Sequence, residues 1–319
     1  MAAGFCHEAA LQRLLTWVNA GGARFWQVFD NISRTNLAET NLMTPKDLVV
    51  FLEEEAGRSE RLAFAANLAE LWQAHLIVTF VTNRLGLDRH AGFAVGAALT
   101  NMLSAHRAEV EKAKQQTRQV YDRIVANRVF THEWRVSENE QGEALMLHAR
   151  HASLAILGPA AGSTPSMTTL GLSEDIIFAS GRPSLLVPVD WPAHRLPKRI
   201  VVGWNASREA TRAIADAMPF LTAAETVHLV VVPEAKINNL GSNPGVDISR
   251  HLARHKVPVT LQQLEGRDAG MVLLEHARSL NADLLVMGAY GHSKFSELIF
   301  GGVTRTMFAT ADFPVLLSR

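Results

Sequence analysis

The chain has 319 residues, above the usual size of one domain, so two domains are the first expectation. Apolar residues make up 48% and charged residues 19%, which excludes global disorder, and the formal net charge of zero removes any overall pull toward nucleic acid or an anionic membrane. The single cysteine, Cys6, excludes an internal disulfide framework and a cysteine-rich zinc site.

Taken in chain order, the opening MAAGFCHEAALQR sets His7, Glu8 and Arg13 where a secretory signal needs an unbroken apolar region. Residues 1–42 form an N-terminal extension, helical or loosely ordered, with helix-like AALQRLLTWV and aromatic-rich ARFWQVF segments. Met43-Thr44-Pro45-Lys46 precedes the first strand and looks like a natural beginning, so Met43 is an alternative native start. The longest weakly polar stretch, Gly92 to Ala105, contains Thr100 and Asn101 and is too short to span a bilayer. A soluble cytoplasmic protein is expected, and Asn31-Ile32-Ser33 and Asn205-Ala206-Ser207 are then chance matches to the glycosylation pattern.

From residue 43 the chain repeats itself. Apolar runs at Leu48–Leu52 (LVVFL) and Arg199–Trp204 (RIVVGW) are each followed by a helical pattern, Glu60–Trp72 and Arg208–Leu221. Each copy then has an apolar run opened by histidine, His75 and His228. His148-Ala149-Arg150 corresponds to His276-Ala277-Arg278, before LAILG (Leu154–Gly158) and LLVMG (Leu284–Gly288). Last, RPSLLVP (Arg182–Pro188) matches FPVLLSR (Phe313–Arg319). Four strands alternating with three helices, given twice, imply an α/β fold with two tandem open parallel-sheet, Rossmann-like domains covered on both faces and joined by right-handed crossovers. The expected division is 43–190, a linker at 191–197 rich in proline and polar residues, and 198–319. A long helical stretch, Ala94 to Asn127, is charged on several faces and is expected to be a solvated helix over one sheet face. The terminal strands, Ser184–Val187 and Val315–Leu317, would be open edges, so the two copies are expected to pair through them as an intramolecular pseudo-dimer; homodimerisation stays open.

Candidate chemistry concentrates in Met287–Pro314, MGAYGHSKFSELIFGGVTRTMFATADFP. A buried strand, a turn bracketed by Gly288 and Gly291, and Gly301-Gly302-Val303-Thr304 opening a helix make a candidate phosphate cradle of backbone N–H donors. His292 sits at its lip, as a phosphate donor or an ordinary surface histidine. There is no Gly-Lys-Ser/Thr of a P-loop, and Gly291-His292-Ser293-Lys294-Phe295 lacks the closing glycine of a nucleophile elbow. His251 and His255, one helical turn apart beside Arg254 and Lys256, are expected to be solvated rather than a metal pair. His148 and His276 suggest a packing or helix C-terminal role, and Glu53-Glu54-Glu55 a solvated loop. No catalytic residue and no metal ligand is assigned.

With Gly288, Gly291 and Gly301 spaced as Gly, two residues, Gly, nine residues, Gly, and with Val303-Thr304-Arg305 and a terminal FPVLL, the chain resembles the universal stress protein family, as a tandem of two such domains over residues 44–319. The resemblance implies a fold like the adenine nucleotide alpha hydrolases, binding of an adenine nucleotide, ATP with or without Mg2+, in the C-terminal domain, and a role in stress response with no defined reaction. It implies nucleotide contacts from Asn205, Val232, Gly288, Gly291, His292, Gly301, Gly302, Val303 and Thr304, and protein partners of unknown identity. Two departures stand out. Gly302 replaces the Ser or Thr of ATP-binding members, and Trp204-Asn205-Ala206-Ser207 stands where members commonly have an acid followed by Gly-Ser. In the first copy Ala161 replaces the second glycine, Pro159 removes an N–H donor and Leu170 replaces the third glycine, so that copy is expected not to bind ATP. The alternatives are a nucleotide-free scaffold and, with no convincing base or nucleophile beside the cradle, an adenylate-cleaving α/β enzyme.

Overall fold

The structure, a computed structural model, describes residues 44–53, 58–82, 97–137, 142–158, 172–233, 245–289 and 311–319. The chain divides into two units, Met1–Thr44 and Pro45–Arg319, and all described residues but Thr44 belong to the second. The expected N-terminal extension therefore lies outside the described residues, as do Glu54 and Glu55 of the acidic loop.

The first half of the second unit runs β1 (Asp47–Leu52), α1 (Arg58–Trp72), β2 (His75–Val81), α2 (Ala97–Val125), β3 (His132–Ser137), α3 (Gly142–Arg150), β4 (Leu154–Leu157), α4 (Leu172–Ala179) and β5 (Ser184–Leu186). The second half runs β6 (Arg199–Gly203), α5 (Arg208–Leu221), β7 (Thr226–Val231), α6 (Val246–Arg254), β8 (Val259–Gln263), α7 (Ala269–Ser279), β9 (Leu284–Gly288) and β10 (Val315–Ser318). Among the described residues, ten strands form a single sheet in the order β3-β2-β1-β4-β5-β10-β9-β6-β7-β8, which reads the same from either end once the halves are equated. Every pairing is parallel except β5 with β10. The central strands are unbroken apolar runs because helices bury both of their faces.

Each half holds one more strand than the sequence pattern suggested. The additions, β3 (HEWRVS) and β8 (VTLQQ), are the outermost strands of the sheet and are only partly buried. An edge strand has one ladder partner and a half-covered face, so it shows no continuous apolar run. The match of His75 with His228 also needs correction. His75 opens β2 opposite Asp47, whereas His228 is the third residue of β7, opposite Val201. A two-residue offset leaves side chains on the same face, so strand alternation cannot detect it.

At the seam Leu185 lies opposite Leu316, with Ser184 opposite Leu317 and Leu186 opposite Val315. Leu185 pairs on its other side with Ile156, and Leu316 with Val286, which are equivalent positions of the two halves. A local two-fold axis therefore passes between the two leucines, both fully buried. Trp72 of α1 meets Phe220 of α5 edge to face across this seam, with ring centroids 4.8 Å apart.

The segment between the halves is strapped down from both sides. Asn67 of α1 donates its side-chain amide to the Ala193 carbonyl (2.8 Å). The Arg195 guanidinium lies over the Trp191 ring, 4.5 Å from its centroid, and donates to Asp283 Oδ1 (2.8 Å). Asp283, almost wholly buried, also accepts the backbone N–H groups of Lys198 (3.1 Å) and Arg199 (2.8 Å) through Oδ2. Asp283→Ala leaves those donors without their acceptor and should lower stability by about 2–4 kcal/mol in urea unfolding, with Asp283→Asn costing less.

Candidate functional site

In an open α/β sheet, ligands settle beyond the carboxyl ends of the strands where neighbouring strands send their connections to opposite faces. In the second half that switch point falls between β6 and β9, which pair through Ile200–Leu284, Val201–Leu285 and Val202–Val286. Beyond β6 the chain turns through Trp204, Asn205 and Ala206 into the N-cap of α5. Asn205 Oδ1 accepts the Ser207 N–H (3.2 Å), and Ser207 Oγ accepts the Ala210 N–H (3.1 Å). An asparagine two residues before a serine cap thus closes the turn and starts the helix. The turn is tight enough to place Ala206 at φ +56°, in the left-handed region.

Gly288 closes the other wall. A Cβ on it would stand 2.6 Å from Ala210 N and 2.6 Å from the Glu209 carbonyl carbon, so the first turn of α5 rests directly on this glycine. Close packing thus requires glycine here whether or not a ligand is present. Val232, just past β7, has its side chain buried. Asn205, Val232 and Gly288 therefore sit at the ends of neighbouring strands β6, β7 and β9. The other expected contacts, Gly291, His292, Gly301, Gly302, Val303 and Thr304, lie outside the described residues.

The first half is built differently at the equivalent place. Its switch point lies between β1 and β4, and Gly158 follows β4 as Gly288 ends β9. There the neighbour is not helix backbone but a side chain, the guanidinium of Arg61, which is 1% exposed. Arg61 Nη1 donates to the Phe51 carbonyl (3.3 Å), and Ser173 Oγ donates to the Gly158 carbonyl (2.9 Å). Pro159, Ala161 and Leu170, the replacements expected to weaken this copy, lie outside the described residues. Sequence reading missed Arg61, although it falls on the stripe Arg61, Ala65, Leu68, Ala69, Trp72, whose helical spacing marks a buried face.

The recurring histidines have a shared contact. His148 Nδ1 accepts from Arg135 (3.3 Å), and His276 Nε2 bonds Gln262 Oε1 (2.7 Å). Arg135 and Gln262 are the fourth residues of the edge strands β3 and β8, so each histidine ties a helix end to an edge. His228 adds a ring 6.2 Å from that of His276. His251 and His255 are exposed, with rings 4.8 Å apart. Among the described residues there is no group of three or more His, Cys, Asp or Glu placed to hold a metal, and no helix long and apolar enough to cross a membrane.

Two half-sheets of one strand order, each with a glycine at the carboxyl end of its fourth strand, make this a doubly wound α/β protein. Residues 197–319 match the model of the universal stress protein family. The stress response protein NhaX of Bacillus subtilis (strain 168) is 39% identical over 56 residues, 18% of this chain and 33% of NhaX, so the chain spans about a third of that relative's length. A universal stress protein from Archaeoglobus fulgidus DSM 4304 superposes with a TM-score of 0.65 over 87% of this chain and 97% of that one, at 14% identity. A protein of Pseudomonas aeruginosa UCBPP-PA14 assigned to the same family gives 0.55 over 88% and 94%, at 15% identity. At these identities the likeness to the solved structures is one of fold.

The turn and the histidine pair can each be tested in solution. Ala206→Gly relieves the left-handed turn and should raise stability by about 0.5–1 kcal/mol in urea unfolding, after the entropy that glycine adds to the unfolded chain. Burial first, and then His228, hold the His276 imidazole below the ordinary histidine value. The unfolded chain then takes up the proton first, so the urea midpoint should fall as pH drops below about 6.5, and His276→Gln should flatten that dependence.

Proposed function

We propose that the second half binds an adenine nucleotide, ATP, in the crevice beyond β6 and β9, and that the protein acts in the cytoplasm as a nucleotide-biased interaction module in stress response. The reading rests on the adjacency of Asn205 and Gly288 at the switch point of the very segment that matches the family model. Backbone N–H groups of Gly288, Gly291, Gly301 and Gly302 would hold the phosphates, with Val303, Thr304 and His292 beside them and Val232 near the base. Mg2+ would accompany the phosphates. Because Asn205 Oδ1 is engaged by the Ser207 N–H, its Nδ2 is the atom that would donate to the base or ribose. Binding needs no catalytic group, and none is assigned.

One observation favours the scaffold reading instead. Gly288 is already required by the close approach of α5, so its presence is no record of a ligand. Mass spectrometry of small molecules released from the denatured native protein, with equilibrium dialysis against labelled ATP, separates the two readings. One nucleotide per chain is expected, and Gly302→Ser, which restores a hydroxyl donor, should tighten binding by about five- to tenfold. No saturable uptake up to millimolar ATP, and no gain from Gly302→Ser, would leave the scaffold.

A further inference from the structure

The two halves differ at a place where their symmetry should make them alike. In the second half, the small residue Ala210 and the backbone of Glu209 stand against Gly288. In the first, a long side chain from the corresponding helix enters the equivalent space. Arg61 reaches the carboxyl end of β1, where Nη1 meets the Phe51 carbonyl, and its Cζ and Nη1 lie only 2.6 and 2.8 Å from where a Cβ on Gly158 would stand. The guanidinium therefore occupies the switch point between β1 and β4, at the carboxyl ends of both strands. Burying a guanidinium strips it of hydration that apolar packing alone does not replace. A carbonyl oxygen at a strand end accepts from its fixed N–H fork and gives the cation a seat there. Glycine at 158 is the complement, since a Cβ there would force the planar group to shift.

We propose that the Arg61 guanidinium is a built-in occupant of the first half's ligand crevice, closing from within the position that the fold offers to a ligand. Of the two switch points among the described strands, the one between β1 and β4 is then closed to small molecules. This assignment stands whether or not the second half holds nucleotide, because it concerns described residues of the first half alone.

The test uses the full chain, thermal unfolding and methylguanidinium as probe. Arg61→Ala should lower Tm by roughly 5–10 °C. Millimolar methylguanidinium should recover part of that loss saturably in Arg61→Ala, with no such gain in the wild type or with methylammonium. Gly158→Ala should lower Tm in the wild type and cost much less in the Arg61→Ala background, since the atoms it strikes are gone. If Arg61→Ala does not fold, Arg61→Gln, shorter and uncharged, carries the same comparisons. An unchanged Tm overturns the proposal. So does the absence of selective methylguanidinium rescue, or an equal cost of Gly158→Ala in both backgrounds.

Discussion

The antiparallel pairing of β5 with β10 joins two five-stranded sheets at strands that would otherwise be bare edges. Ser184, Leu185, Val315, Leu316 and Leu317 are all fully buried, so separating the halves would bring apolar surface and unpaired backbone groups to water together. An open parallel sheet always ends in an edge, and here a two-fold seam lets each half cover the most apolar edge of the other. The Trp72–Phe220 contact bridges the seam from the helices of both halves. The ion pair of Arg195 with Asp283 anchors the connecting segment to the second half, and the amide of Asn67 anchors it to the first.

Residues 191–197 read in sequence as a linker, since prolines and polar side chains predominate. What orders them is a buried carboxylate far along the chain. Asp283 gathers the Arg195 guanidinium and the N–H groups of Lys198 and Arg199 at the start of β6. The Trp191 ring then finds the Arg195 guanidinium already held in place above it. Composition reports what a segment contains, and only the fold reports which distant acceptor it reaches.

Much of the architecture was legible because buried parallel strands announce themselves as apolar runs, as in Leu48–Leu52 and Leu284–Gly288. The edge strands were not, since His132–Ser137 and Val259–Gln263 keep polar residues toward water. Of the expected nucleotide contacts, Gly288 was picked out by the glycine spacing and Asn205 by the family resemblance, but their structural duties were not legible. Asn205 commits an oxygen to the turn before α5, and Gly288 gives its space to the helix. Arg61 escaped notice because an arginine within ERLAFAANLAELW suggests a solvated position, although its place on the apolar stripe says otherwise.

Duplication within one chain frees one copy from the demands that shaped both. Each half must still supply a seam strand, so Leu185 and Leu316 stay equivalent and buried. No such demand protects the crevices, which lie at the carboxyl ends of the strands and take no part in the β5–β10 ladder. One half can therefore fill its crevice with its own cation while the other keeps helix backbone and a small alanine at the same place. A side chain tethered to α1 loses no translational freedom on entering the crevice, unlike a diffusing ligand. The strand ends of the first half are thus held by a group that cannot dissociate, whatever occupies the second.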